Sequence, residues 1–164
     1  MELTMDIIRP EHLEDCCEAL RDSDLGRTYF TQEEKLYNLI QEGIDKQEIR
    51  VALDQEGRCL GFIWFTFGAA FYRFPYVRIF AVKNDYRSQG AGGFLMDCFE
   101  ELSRQRQAGK VFLTVAEFNL RAKKFYEDRD YVEAARIPDL FHDGHAEFVM
   151  MKTLERSTGV CHDG

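Results

Sequence analysis

The stretch from Val77 to Met96, VRIFAVKNDYRSQGAGGFLM, commits this chain to a strand that turns directly into a glycine-rich helix entry. An apolar run passes through a short polar turn, and glycines then occupy Gly90, Gly92 and Gly93. Glycine removes side chains where backbone amides must approach a ligand, and the helix that follows adds unpaired N–H groups and the positive end of its dipole. An anion of pyrophosphate type fits such a cradle. Two other phosphate cradles fit worse. No Gly-Lys-Ser/Thr follows, so a P-loop would lack its lysine and its magnesium ligand, and position 95 is leucine, which breaks the Gly-x-Gly-x-x-Gly dinucleotide fingerprint. The bland alternative is a glycine-softened helix start with no ligand.

The pattern Arg87-x-x-Gly90-x-Gly92 resembles the acetyl-CoA signature of the GNAT superfamily of N-acyltransferases. The resemblance implies that Arg87, Ser88, Gln89, Gly90, Ala91, Gly92 and Gly93 bind the cosubstrate acetyl-CoA. It also implies that the strand end Phe80, Ala81 and Val82 lies where the family holds pantetheine. Downstream, Asn119-Leu-Arg-Ala122-Lys-Lys-Phe125-Tyr126 followed by Asp130-Tyr131 looks like the family's second signature. The spacing of seven from Asn119 to Tyr126 is about two helical turns, which places both side chains on one face of a short helix. In the resemblance Asn119 contacts the pantetheine arm and Tyr126 is the general acid for the leaving thiolate. Asp130 departs from the family, which usually has glycine there; aspartate tolerates a left-handed backbone better than most residues. Taken alone, Tyr126 reads more readily as a core aromatic beside Phe125; Asn119 and the glycine cradle tip the reading to catalysis.

The order of elements agrees with the resemblance. Leu3–Arg9 reads as a strand closed by Pro10, and Glu11–Asp22 as a helix with Leu13, Cys16, Cys17 and Leu20 on one face. Ser23–Phe30 reads as a linker to a second helix, opened at Thr31 by a Thr-x-x-Glu capping box to Glu34. Ile49–Leu53 and Cys59–Phe67 flank the turn Asp54–Gly57 as a hairpin, and the second of them, apolar at both parities, should be covered on both faces. Tyr76–Val82 follows, then a helix to about Ala108 that Gly109 stops, with Phe94, Leu95, Cys98, Phe99 and Leu102 inward. Lys110–Ala116, a helix capped by Asn119, and strands over Tyr131–Ile137 and Glu147–Leu154 complete the chain. The expected class is α/β (α+β): a GNAT-like, mostly antiparallel sheet of about six to seven strands with about four helices, in the order β-α-α-β-β-β-α-β-α-β-β. Residues 1–154 form one domain and 155–164 a flexible tail.

Composition bounds the rest. At 164 residues and 45% hydrophobic, one domain fills a core. Its longest apolar run, Leu60 to Phe71, is short of the ~20 residues that a membrane helix needs. The acidic start Met1–Asp6 is unlike a signal peptide, and five cysteines without a C-x-x-C pair point to reduced thiols, so a cytoplasmic location is expected. Cys98 reads as a small buried residue. His142-x-x-His145 lacks further ligands, so no metal is expected. The net charge of −8 argues against nonspecific nucleic-acid binding and is compatible with cationic substrates.

For amine acetylation by direct attack through a tetrahedral intermediate, a primary amine of pKa ~10.4 must lose a proton and the oxyanion must meet a donor, for which a backbone N–H near Val82 is suited. Tyr126 protonates the thiolate. The strand before the cradle holds no carboxylate, so Glu117, at the next strand's end, is the first candidate base; a water chain is the other route. Tyr29, Phe30 and Tyr72 are expected to surround an apolar or aromatic amine, with Asp139 holding its charge. These aromatics would alternatively cover a sheet edge or form a homodimer interface. Three classes stand: an N-acetyltransferase for a small amine or a peptide or protein amino group, a non-catalytic acyl-CoA sensor, and an interaction domain with an empty cleft.

Overall fold

The computed structural model describes residues 1–155; the tail expected over 155–164 lies, but for Glu155, outside the described residues. Seven strands form one sheet in the order β1-β2-β3-β4-β5-β7-β6. They are β1 (Thr4–Ile7), β2 (Ile49–Leu53), β3 (Cys59–Ala70), β4 (Phe74–Val82), β5 (Lys110–Ala116), β6 (Val132–Ile137) and β7 (Glu147–Thr153). Five helices, α1 (Leu13–Arg21), α2 (Asp24–Tyr29), α3 (Glu33–Lys46), α4 (Ala91–Gln105) and α5 (Leu120–Glu127), cover it. Every strand pair is antiparallel except β4 with β5, the pair joined by the α4 crossover. The mixed, mostly antiparallel class expected from the sequence is the class observed.

Alternation along β3 divides the core in two. Phe62 and Trp64 join Leu20, Leu36 and Ile40 of α1 and α3 on one face. Ile63 and Phe65 meet Leu95, Met96 and Phe99 of α4 on the other. A strand buried on both faces needs apolar residues at both parities, which is the pattern that β3 carries.

Local departures from the expected elements have identifiable causes. The linker 23–30 contains α2, because Ser23 Oγ accepts the Gly26 N–H at 2.9 Å and caps it. Gly26 permits this turn: a Cβ there would lie 1.8 Å from the Leu20 carbonyl oxygen. The Thr31 capping box does not form; α3 starts at Glu33 behind Gln32, which makes no side-chain cap bond. The helix α4 ends before Gly109, with Gln107 taking the left-handed turn at φ 61° and the Ala108 N–H reaching Ser103 O at 3.0 Å. Its inner stripe is Leu95, Met96, Phe99, Glu100 and Ser103, which leaves Cys98 only half-buried, against the expectation of a core thiol. Glu100 is tolerated inside because Arg129 and Lys152 lie at 3.1 and 2.5 Å from its two oxygens.

Asn119 caps α5 as expected, its Oδ1 accepting the Ala122 N–H at 3.3 Å. Asn119→Ala is expected to lower unfolding free energy by about 1 kcal/mol in urea titration, while Asn119→Asp keeps most of it. Asp130 holds φ 71° and closes the turn that the family gives to glycine.

Candidate active site

The site originates in a bulge. Trp64 pairs with Ile79 and Phe65 with Val77, so Arg78 is an extra residue on β4. Bulges bend the strand that carries them. Beyond Tyr76↔Phe112 and Val77↔Leu113 the β4–β5 ladder stops, and Thr114–Ala116 pair with β7 alone. The two parallel strands therefore separate towards their C-terminal ends. The Lys83 N–H bonds back to Leu60 O on β3 at 2.8 Å, so by the two-residue period of a strand the N–H groups of Phe80 and Val82 point the other way, into the gap.

Past the gap the chain makes the glycine turn. Ser88 and Gly90 adopt φ 66° and 90°, and Gly90 N-caps α4. The helix makes its first bond from the Phe94 N–H to Gly90 O at 2.9 Å, leaving the N–H groups of Ala91, Gly92 and Gly93 without protein acceptors among the described residues. A Cβ on Gly92 would stand 3.1 Å from Phe80 Cζ, so glycine keeps both the amides and the Phe80 ring accessible. Arg87 ties the turn to its surroundings: it donates to Val82 O, Asn84 Oδ1 and Asp22 O, each at 3.1 Å. Burial and the neighbouring Arg27 and Arg121 push its guanidinium below the ordinary arginine pKa, against the opposing pull of Asp24 and Asp22. Gln89 holds Asp85 O at 2.9 Å. The open amides, the left-handed turn and the gap fit the pyrophosphate and pantetheine parts of acetyl-CoA.

The family model for the acetyltransferase (GNAT) family matches residues 13–131. This chain belongs to the GNAT acetyltransferase family. Solved structures share the fold. Ard1 from Thermoplasma volcanium superposes with TM-score 0.78 at 23% identity, over 95% of this chain and 100% of that one. Naa20 from Chaetomium thermophilum, in complex with a bisubstrate analogue, gives 0.71 at 22%, over 98% and 93%. A spermidine N-acetyltransferase, a SpeG chimera from Vibrio cholerae and hSSAT, gives 0.74 at 16%, over 93% and 96%. No curated protein matches the sequence. Membership makes the chain a GNAT-type acetyltransferase, and that family uses acetyl-CoA.

In this GNAT domain a cleft of about 640 Å³ runs from the β4–β5 gap beneath α2 and α5. Tyr29, Phe30, Phe80, Asn119 and Tyr126 all line it. Tyr126 is buried, and burial, with Tyr76 nearby, raises its hydroxyl far above the ordinary tyrosine pKa. It remains a protonated phenol at neutral pH, placed to donate rather than accept a proton, though burial makes it a weaker acid than an exposed tyrosine.

Three expected residues lie elsewhere. Glu117 is exposed just after β5 and is held by Arg136 at 2.7 and 3.0 Å, outside the cleft lining. Tyr72 is fully exposed at the β3–β4 hairpin tip, because β3 runs on to Ala70 and lifts the tip clear of the cleft. Asp139 closes a loop, its carboxylate accepting the Gly144 N–H at 2.7 Å. His142 and His145 belong to aromatic packing: Tyr29 stacks on His142 with centroids 4.2 Å apart, and Phe118 meets His145 edge-on at 5.3 Å.

Two carboxylates line the cleft: Glu48, half-buried and accepting the Trp64 Nε1–H at 3.0 Å, and the more deeply buried Glu147, the first residue of β7, which sequence reading passed over. Glu147 is 2% exposed and accepts the Tyr29 hydroxyl at 2.8 Å. Burial raises its pKa above the ordinary glutamate value, against the opposing pull of the Tyr29 bond and His145. Tyr29 is raised in turn by burial and by that bond. Beside them Tyr76 and Thr114 share a hydrogen bond of 3.1 Å across the two separating strands. The sequence signal for Glu147 was an acid directly before the apolar run Phe148–Met151.

Proposed function

We propose that this protein moves an acetyl group from acetyl-CoA to a primary amine, with Glu147 receiving the amine and Tyr126 opposite it as proton donor. The observation that carries the reading is a buried, pKa-raised carboxylate opening onto the same cleft as Tyr126 and the β4–β5 gap. Acetyl-CoA supplies a thioester carbonyl open to attack when bound. An ammonium group entering the cleft pairs with Glu147, whose elevated pKa brings it closer to a base suited to neutral pH. Tyr29 donates to Glu147 Oε1 and orients the carboxylate, leaving Oε2 for the incoming amine. The Phe80 and Val82 N–H groups, fixed by the β3 ladder, offer donors to developing negative charge. The Tyr126 hydroxyl gives its proton to the departing sulfur. The open amides of Ala91, Gly92 and Gly93 hold the pyrophosphate, and Asn119 lies along the arm.

The acceptor entrance is apolar as well as acidic. Tyr29 and His142 make one wall, with Phe118 packed edge-on against Tyr29, and Phe141, 55% exposed, stands at its rim. Such a wall favours an amine that carries an aromatic or apolar neighbour, on a small molecule or a peptide, over a polyamine such as the substrate of the spermidine enzyme.

The test is calorimetry with acetyl-CoA followed by thiol-release assays with phenethylamine, a peptide of apolar N-terminus and spermidine. Turnover of either apolar amine above spermidine is expected. Absence of binding far above the micromolar range typical of metabolite sites would overturn the reading. Tyr126→Phe should lower kcat about a hundredfold with acetyl-CoA affinity unchanged; an unchanged kcat would remove Tyr126 from the proton path.

A further inference from the structure

Most cations of this acidic chain are neutralised by carboxylates within 4 Å. Among the described residues the exceptions are Lys35, Arg50, Arg73, Arg87, Arg106, Lys110 and Arg121. Arg87 and Arg121 stand at the glycine cradle, where the proposed ligand is a pyrophosphate. Arg50, Arg73, Arg106 and Lys110 gather at a different corner, where the C-terminal end of α4 meets the β3–β4 hairpin and the start of β5.

That corner is concave. A pocket of about 650 Å³ is lined by Arg73, Arg106 and Lys110 with Phe67, Phe74 and the loop Gln107–Gly109, and among the described residues no aspartate or glutamate lines it. The guanidiniums are laid on rings: Arg106 lies 3.8 Å from the Phe67 centroid and Arg73 lies 5.3 Å from that of Phe74. A guanidinium stacked by its face keeps its N–H edge for an anion, and its planar fork matches phosphate oxygens in pairs. Arg50, against Phe65 at 5.7 Å, adds to the field. Burial, then the like charge of Arg106, push the Arg50 guanidinium down, while Asp6 offsets this. Like charges held together in this way repel unless an anion joins them. Concavity and volume suit a compact ligand better than an extended chain.

We propose that this corner is a second anion site, separate from the acetyl-CoA cleft, that binds a compact oligophosphate through Arg73, Arg106 and Lys110. The oligophosphate is either free or the tail of a nucleoside triphosphate; the second would place its base near the exposed rings of Phe71 and Tyr72 at the hairpin tip.

The experiment is calorimetry of the full chain with saturating CoA present, so that the cradle is filled, titrated with tripolyphosphate and separately with ATP. One-to-one binding that weakens about tenfold or more in Arg106→Gln and in Lys110→Gln, and falls steeply with added salt, is expected. ATP tighter than tripolyphosphate assigns the nucleotide as the source, and the reverse order assigns the free oligophosphate. Thermal unfolding confirms that both variants fold, and their acetyl-CoA affinity stays at the wild-type value. No binding at millimolar ligand, or binding that both variants retain, would overturn the proposal. Because acetyl-CoA affinity is measured on its own, failure of acetyl-CoA to bind would be seen separately and would leave this result interpretable.

Discussion

Glu147→Gln is expected to lower kcat/KM for the acceptor by about a hundredfold to ten-thousandfold, the range that a positioned general base contributes. Glutamine keeps the shape and still accepts the Tyr29 hydroxyl, whose bond to Glu147 is 2.8 Å long. What it loses is the charge that holds an ammonium and the lone pair that takes its proton. Acetyl-CoA affinity should be unaffected, since Glu147 lies at the acceptor end of the cleft. The pH profile separates a base from a merely structural carboxylate. Glu147 is raised above the ordinary glutamate value, so wild-type activity should fall as pH drops through that raised pKa, where the carboxylate takes up its proton. The acid limb should be absent from the residual activity of Glu147→Gln. The sign for stability is opposite to that for activity. A carboxyl whose folded pKa is raised binds its proton more tightly in the native state, so its contribution is most favourable at low pH and declines as pH rises through the folded pKa. The glutamine variant should therefore unfold no earlier than wild type at neutral pH. Loss of activity together with loss of fold would contradict this account, as would an unchanged pH profile. Glu117→Gln is the matched control: its carboxylate pairs with Arg136 on the surface, and kcat should hold.

Glu117 and Glu147 show where reading the sequence stops. Each sits at a strand end beside the cleft, and nothing in composition distinguishes them. The choice is made by pairing: Ala116 opposes Glu147 in the β5–β7 ladder, and Arg136 on β6 draws Glu117 outward. Register and a partner two strands away are long-range facts. The bulge at Arg78 is of the same kind, since it exists only by comparison with β3. By contrast, the cradle and the α5 cap were legible because glycines and an asparagine act on backbone within their own few residues. Tyr126 was legible for a related reason: helical spacing fixed its face relative to Asn119. Tyr72 misled because aromatic residues are usually sheltered, whereas hairpin length decides whether a tip residue is. The stripe of α4 misled through Glu100, which enters the core because Arg129 and Lys152 meet it there.

Gly92→Glu is expected to weaken acetyl-CoA binding by at least about a hundredfold, and the comparison with Gly92→Ala separates charge from bulk. Any Cβ at this position meets Phe80 Cζ at 3.1 Å, and Phe80 is stacked on Phe125 with centroids 5.7 Å apart. An alanine therefore asks the ring pair to give by a few tenths of an ångström, against which helix propensity gains up to about 1 kcal/mol. The two effects nearly offset, so Gly92→Ala should fold with wild-type stability and bind acetyl-CoA within about tenfold of wild type. A glutamate adds a negative charge among the open amides of Ala91, Gly92 and Gly93. At ~6 Å from a phosphate charge, with an effective dielectric of ~20, the repulsion is about 3 kcal/mol per unit charge, equivalent to about a hundredfold in affinity. High salt should restore part of the loss in the glutamate variant and none in the alanine variant. Equal losses in both variants would mean that bulk against Phe80 is the whole effect. Unchanged binding in the glutamate variant would mean that no phosphate approaches these amides, and with that the reading of the glycine turn as a pyrophosphate cradle would fail.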